Sequence, residues 1–339
     1  MIAQEPPQRR GLSRLLVLDR ATGALADHQF SDLPSLLRRG DLLVVNNTRV
    51  FPARLLGRRL PGGGAAECLL VRRLEVVTPQ CEIWEALVHP GQRLKEGSRI
   101  ELGDGAHVIH AEILARRFHG RRSVRLWTDG ESLQDAIDRV GHVPLPPYIK
   151  RADEARDRDR YQTVYAQHRG SIAAPTAGLH FTPELLESLA EAGVERTEIT
   201  LHVGYGTFQP VRVERVEEHR MEAEHYEVPP DTAAAINRAR REGRRIIAVG
   251  TTTTRTLESL VLNENDEVEA GGGSTELFIY PGYRFRLVTG LISNFHLPQS
   301  SLLMLVSAFA GREHVLRAYR HAVEHGYRFY SYGDAMFAR

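Results

Sequence analysis

The strongest constraint on this chain is a change of hydrophobic period that begins near Leu60 and ends near Leu126. Within it, short alternating runs follow one another: Glu67–Val71, Glu82–Val88, Ser98–Leu102, His107–Leu114 and Ser123–Trp127. Glycine-bearing turns separate them, at Pro61-Gly62-Gly63-Gly64, Pro90-Gly91, Gly103-Asp104-Gly105 and His119-Gly120. Alternation over 4–8 residues with closely spaced turns is the signature of a small all-β module. On either side the pattern is different. Leu15–Asp19 and Asp41–Val45 read as buried strands, and Leu33–Arg39 as a helix ending at Gly40. Beyond Tyr161, strands and helices alternate. The strands are Glu198–Val203, Arg245–Val249, Leu277–Tyr280 and Arg286–Ile292. The helices are Glu184–Ala192, Thr232–Arg241, Thr254–Leu262, Leu302–Phe309 and Glu313–His325. Thr182-Pro183 supplies an N-cap followed by proline at the first helical position. Alternating elements of this kind build a sheet covered by helices. The expected fold class is therefore α/β, with a small β-barrel inserted: residues 1–59 and 150–339 form the discontinuous α/β domain and 60–149 the barrel. Gly141–Ile149 is proline-rich and extended, and Arg151–Arg160 reads as an exposed linker.

Composition excludes several classes. With 339 residues, 42% hydrophobic and 26% charged, the chain is globular and long enough for two domains. The longest apolar run, near Leu302–Ala310, is about half the roughly 20 residues of a membrane helix. Met1–Arg10 is polar and proline-bearing, unlike a secretory signal. Two cysteines, Cys68 and Cys81, make neither a disulfide framework nor a four-cysteine zinc site, so a cytoplasmic location is expected. Net charge is only +1, but residues 51–128 hold 13 Arg and Lys against 8 Asp and Glu. That local excess suits a polyanion.

In an α/β fold, crevices open where strands end and helices begin. One such junction is Ile246–Ser259 (IIAVGTTTTRTLES), where free N–H groups at a helix N-terminus suit a carboxylate or phosphate; the plainer alternative is a threonine-rich cap. A second is APTAGLHFTPELL, which sets His180 and Phe181 before a capped helix. Histidine there is an acid–base candidate or a structural residue. LHVGYGTFQPV carries a Gly204/Gly206 pair without the third glycine of a dinucleotide fingerprint. It is either a ligand approach or a strand-end bulge. Leu291–Leu305 places Asn294 and His296 between a strand and a helix that Ser300 or Ser301 can cap. The aromatic segment Tyr327–Phe337 reads as core packing or as a stacking surface. His219, Glu222, Glu224 and His225 are close in sequence, but no HExxH or cysteine-rich partner accompanies them, and no metal site is assigned.

Taken in order, SRLLVLDR, GDLLVVNNTRVFPARL, GHVPLPPYI, YQTVYA, APTAGLHF, LHVGYGTFQPVRV, AVGTTTTRTLES, FIYPGY, SNFHLPQSSLLMLVSAFAG and YRFYSYGDAMF resemble the S-adenosylmethionine:tRNA ribosyltransferase-isomerase family of the queuosine pathway. The motifs span residues 13–337. Two departures are visible: Met221-Glu222 where the family commonly has Met-His, and TTTTRT where TTSVRS is commoner. The second keeps Thr251, Thr252 and Arg255. The resemblance implies an α/β domain with an inserted β-barrel and metal-independent chemistry. It also implies S-adenosylmethionine as co-substrate and, as partner, a tRNA carrying 7-aminomethyl-7-deazaguanine in its anticodon. A monomer is expected. Such chemistry needs a base, for which the motifs offer His180 first, then His202 and His296. Thr251, Thr252 and Arg255 are the expected anion clamp. Phe181, Phe208 and Tyr280 are the expected aromatics, and Asp334 a polar anchor. Arg121 and Arg122 in the barrel, or Arg328 in the C-terminal segment, are the expected RNA contacts. Two rivals remain at this level. A tRNA-binding module that has lost catalysis should lack motif residues. A methyltransferase should carry a glycine-rich loop after its first strand, which NNTRVFPAR is not.

Overall fold

The computed structural model describes residues 2–204, 206, 211–213 and 215–339. By contacts the chain divides into two compact units: Met1–Arg49, Pro146–Arg151 and Arg160–Arg339 form one, and Val50–Leu145 with Ala152–Asp159 the other.

The first unit is built on a nine-stranded mixed sheet among the described residues. Its centre is parallel: Glu195–Leu201, Leu42–Asn46, Ile246–Val249 and Gly290–Asn294 lie side by side. Ala335–Ala338 then runs antiparallel to Gly290–Asn294, and Arg14–Leu18 and Leu25–Gln29 complete that edge. Glu224–Val228 and Gly271–Thr275 extend the opposite edge, antiparallel. Leu42–Asn46 and Ile246–Val249 are apolar at nearly every position because both faces are covered. Leu42, Val44, Ile246, Ala248 and Leu291 pack into one core, while Leu43, Val45, Ile247, Val249 and Ile292 pack into the other. All four parallel strands end at the same edge of the sheet.

Six antiparallel strands close the second unit into a barrel: Arg54–Leu60, Ala65–Thr78, Cys81–His89, Arg99–Gly103, Val108–Arg116 and Arg121–Trp127. Alternate residues fill its interior, among them Leu55, Cys68, Leu70, Trp84, Ile100, Ile109, Ile113, Val124 and Leu126. Closure leaves no strand edge open to other chains. Arg54–Leu60 (RLLGRRL) belongs to the barrel although its sequence does not alternate cleanly. Both cysteines are free, and burial pushes the Cys68 thiol up to about 12.

Several elements differ from the sequence expectation, each for a local reason. The first helix covers only Leu33–Leu36, because Leu37 is extended and the Asp41 carboxylate accepts the Arg38 N–H at 2.7 Å. Leu277–Tyr280 joins no sheet; the Leu277 carbonyl instead accepts from Arg255 Nε at 2.9 Å. The strand expected over Arg286–Ile292 begins only at Gly290. Upstream, the N–H groups of Arg286, Leu287 and Val288 all donate to the buried Glu258 carboxylate, at 2.8, 3.0 and 2.8 Å. Arg151–Arg160 is no bare linker. Asp157 is fully buried and accepts the Glu154 N–H, while Asp153 holds His142 Nδ1 and the Val143 N–H. No described helix is long and apolar enough to cross a membrane.

Removing the Glu258 carboxylate strands three backbone donors, each costing about 1–3 kcal/mol when buried and unpaired. Glu258→Ala should therefore lower the unfolding free energy by at least about 3 kcal/mol in urea. A loss below about 1 kcal/mol would show that the segment re-pairs without it.

Candidate active site

A cavity of about 360 Å³ opens at the edge where the parallel strands end. Three segments build its polar wall. The first is the helix Thr251–Ser259, entered through Gly250 at φ 91°, a backbone conformation that favours glycine. The expected helix thus begins three residues early, and the threonines form its first turn rather than a loop before it. The first N–H groups of a helix have no partner within it, and here they belong to Thr251, Thr252 and Thr253. Thr251 and Thr252 line the cavity, and the buried Thr252 Oγ1 has no hydrogen-bond partner.

The second segment follows the strand Gly290–Asn294. Ser293, Asn294 and His296 all line the cavity. The Asn294 amide nitrogen donates to the Tyr330 carbonyl at 3.1 Å and to His180 Nε2 at 3.0 Å, which leaves Oδ1 buried and unpaired. His296 Nε2 meets Ser293 Oγ at 2.7 Å, and the His296 N–H donates to the Tyr319 hydroxyl at 2.9 Å. Its Nδ1 has no hydrogen-bond partner among the described residues. Burial drives the His296 pKa down to about 3, so the ring is neutral near pH 7.

Tyr148 and Tyr330 supply the third wall, their ring centroids 4.0 Å apart. Gln299 and Tyr330 both line the cavity and both hold positive φ, 60° and 71°. Strained non-glycine backbone of this kind concentrates at functional sites. Two orphaned polar side chains, a helix N-terminus and two strained residues thus converge on one apolar-walled pocket, the arrangement expected of a small-molecule site.

A family model described as "Queuosine biosynthesis protein" matches residues 1–338. S-adenosylmethionine:tRNA ribosyltransferase-isomerase of Desulfitobacterium hafniense is 53% identical over 99% of this chain and 95% of its own length. The protein of the same name from Heliobacterium modesticaldum is 54% identical over the same shares. The crystal structure of an S-adenosylmethionine tRNA ribosyltransferase from Thermotoga maritima is 38% identical, with a TM-score of 0.54, covering 100% of this chain and 96% of that one. The chain belongs to the S-adenosylmethionine:tRNA ribosyltransferase-isomerase family. Its mixed α/β sheet and closed barrel agree with that membership.

Of the residues singled out from sequence, the cavity gathers Thr251, Thr252, Asn294 and His296. The others lie elsewhere. His180 is buried beside the pocket, with Nδ1 on Ser13 Oγ at 2.9 Å and Nε2 accepting from Asn294. Both ring nitrogens are therefore engaged, and burial lowers its pKa to about 4. His202 Nδ1 meets Thr48 Oγ1 at 2.8 Å, and its ring packs so closely on Gly170 that a Cβ there would lie 2.6 Å away. Burial, then the nearby His168 and His225, lower the His202 pKa. Arg255 is buried in an ion pair with Glu224 and donates to the Leu277 and Thr275 carbonyls, so its guanidinium is no clamp for a ligand. Phe181 is core, edge-on to Phe30 at 5.1 Å, and Tyr280 packs against Phe278. Asp334 is an anchor for the chain itself: its carboxylate accepts the Arg14 and Arg328 N–H groups at 2.9 and 2.8 Å. Phe208 lies outside the described residues. Tyr148, Gln299, Ser293 and Tyr330 were missed. Only the aromatic run around Tyr330 signalled one of them, since positive φ leaves no mark in composition. Among the described residues no group of three or more His, Cys, Asp or Glu is placed to hold a metal ion.

Both buried histidines bind fewer protons folded than unfolded below about pH 6.5. Their contribution to stability is complete above that pH and is lost as pH falls toward about 4 for His180 and about 3 for His296. Each adds a slope of up to about 1.4 kcal/mol per pH unit. Urea unfolding between pH 6.5 and 4.5 should therefore lose stability less steeply in His296→Gln than in the wild type. Parallel profiles would mean that the ring is protonated while folded.

Proposed function

We propose that this chain transfers and isomerises the ribosyl group of S-adenosylmethionine onto the amine of 7-aminomethyl-7-deazaguanine at the tRNA wobble position. The products are epoxyqueuosine in tRNA, adenine and methionine. The observation that carries the site assignment is that His296, alone of the three motif histidines, lines the cavity that also presents the Thr251–Thr253 helix N-terminus.

The residues fit the co-substrate. The Thr251, Thr252 and Thr253 N–H groups with Thr252 Oγ1 are donors for its carboxylate. Asn294 Oδ1 is an unmatched acceptor for an N–H or O–H of the ligand. The Tyr148 and Tyr330 rings offer faces to a purine or to a positive charge. When bound, S-adenosylmethionine supplies a sulfonium that acidifies its adjacent 5′ carbon. Ser293 Oγ lies 2.7 Å from His296 Nε2; we assign the tautomer in which Nε2–H donates to that hydroxyl, which leaves a lone pair on Nδ1 for His296 to act as the base. Burial disfavours the imidazolium, so a proton taken there is passed on within the cavity rather than stored. His180 is then a positioning residue: by accepting from Asn294 it turns the Asn294 carbonyl oxygen toward the ligand. The chain works in the cytoplasm, where its tRNA is, as a monomer and without a metal, so turnover should survive a chelator.

His296→Ala should cut turnover about a hundred- to ten-thousand-fold, the range for a general base, while tRNA affinity stays nearly constant. The wild type should place solvent deuterium at the 5′ carbon, and His296→Ala should not. His180→Ala should keep that exchange at a reduced rate. Exchange lost in His180→Ala but kept in His296→Ala would reverse the two roles.

A further inference from the structure

The barrel carries an exposed feature that the cavity chemistry does not use. Strands Val108–Arg116 and Arg121–Trp127 are joined by a tight hairpin, closed by the Arg117 N–H donating to the Arg121 carbonyl at 2.8 Å. At its tip Phe118 is 89% exposed, an unusual position for a large apolar side chain. Arginines flank it on both sides, and the structure sorts them.

Arg122, expected from sequence to meet RNA, is buried. Its guanidinium donates to the carbonyls of Gly120, Arg121 and Gly91 at 3.0, 3.0 and 3.2 Å. That ties the hairpin to the Pro90–Gly91 turn and leaves the charge without a carboxylate. Arg121 is ion-paired with Glu85 at 3.1 Å. The exposed cations are others. Arg116 and Arg93 have no ion-pair partner among the described residues, and Arg117 has only the neutral Ser123 hydroxyl, at 2.6 Å. The turn thus presents an exposed aromatic side chain beside exposed arginines that have no carboxylate partner among the described residues.

We propose that this hairpin binds an unpaired nucleotide of an RNA loop, with Phe118 stacking on the base and Arg116, Arg117 and Arg93 meeting the flanking phosphates. Aromatic stacking combined with cation–phosphate contact is the general way proteins hold single-stranded nucleic acid. That the RNA is tRNA rests on the function proposed above.

The test uses the full chain and unmodified tRNA, measured by direct binding. Phe118→Ala should weaken binding about 5- to 100-fold and leave the dependence of log Kd on log salt unchanged. Phe118→Trp should restore the affinity. Arg116→Ala and Arg117→Ala should weaken binding and reduce the salt slope by about 0.7–0.9 each. Because all three side chains are exposed, S-adenosylmethionine binding should not change. An unchanged tRNA affinity in Phe118→Ala would overturn the proposal. So would a loss of self-association in Phe118→Ala with RNA affinity intact, which would make the tip a contact between copies. Absence of ribosyl transfer by the wild type would instead remove the functional reading and leave this binding result standing.

Discussion

The buried ion pair between Arg255 and Glu224 holds the candidate site together. Both side chains are almost wholly out of water. A buried pair is stable only if its remaining hydrogen-bonding capacity is met, and here it is. Arg255 also donates to the carbonyls of Thr275 and Leu277, and Glu224 accepts the Gly204 N–H at 3.0 Å. One side chain from the Thr251–Ser259 helix thereby fastens the two antiparallel edge strands and the glycine-bearing loop to the end of the parallel sheet. Loss of either partner would bury an unpaired charge and release that edge. The helix N-terminus that faces the cavity keeps its place because its own second turn is anchored this way.

Around that anchor the cavity wall is held by hydrogen bonds between distant segments. Asn294 ends a buried strand and is held from two directions, by the Tyr330 carbonyl and by His180. Tyr330 is kept at positive φ by its N–H on the Phe295 carbonyl, and Asp334 closes the turn beyond it by accepting the Arg14 and Arg328 N–H groups. His180 and Asp334 therefore brace the wall of the cavity without lining it. Preorganised polar groups of this kind need no rearrangement when charge develops, which is where they act most strongly. The closed barrel carries one exposed aromatic, Phe118, between arginines.

Much of this was legible in the sequence, and the failures share one cause. Asp41–Val45 and Arg245–Val249 read correctly because parallel strands covered on both faces are apolar throughout. Thr182 and Ser300 marked helix starts through local chemistry. What failed was set by partners distant in sequence. Glu258 takes the backbone donors of Arg286–Val288 away from the sheet, and Arg255 takes the Leu277 carbonyl. The same applies within the site. His180 and His296 sit in equally persuasive motifs, and only Ser13 and Asn294, far away in sequence, decide that His180 has no lone pair to offer. Arg121 and Arg122 drew attention as adjacent charges, yet successive strand residues point to opposite faces, and Arg122 turns inward.

In the function proposed above, the co-substrate lies between the Thr251–Thr253 helix N-terminus and His296. A crystal structure of the chain with S-adenosylmethionine would show where it binds. The carboxylate should lie on those N–H groups, with the 5′ carbon within roughly 3.5 Å of His296 Nδ1, the reach a near-attack geometry requires. Density for the ligand against His202, or anywhere that leaves Thr252 Oγ1 and Asn294 Oδ1 unpaired, would rule this placement out.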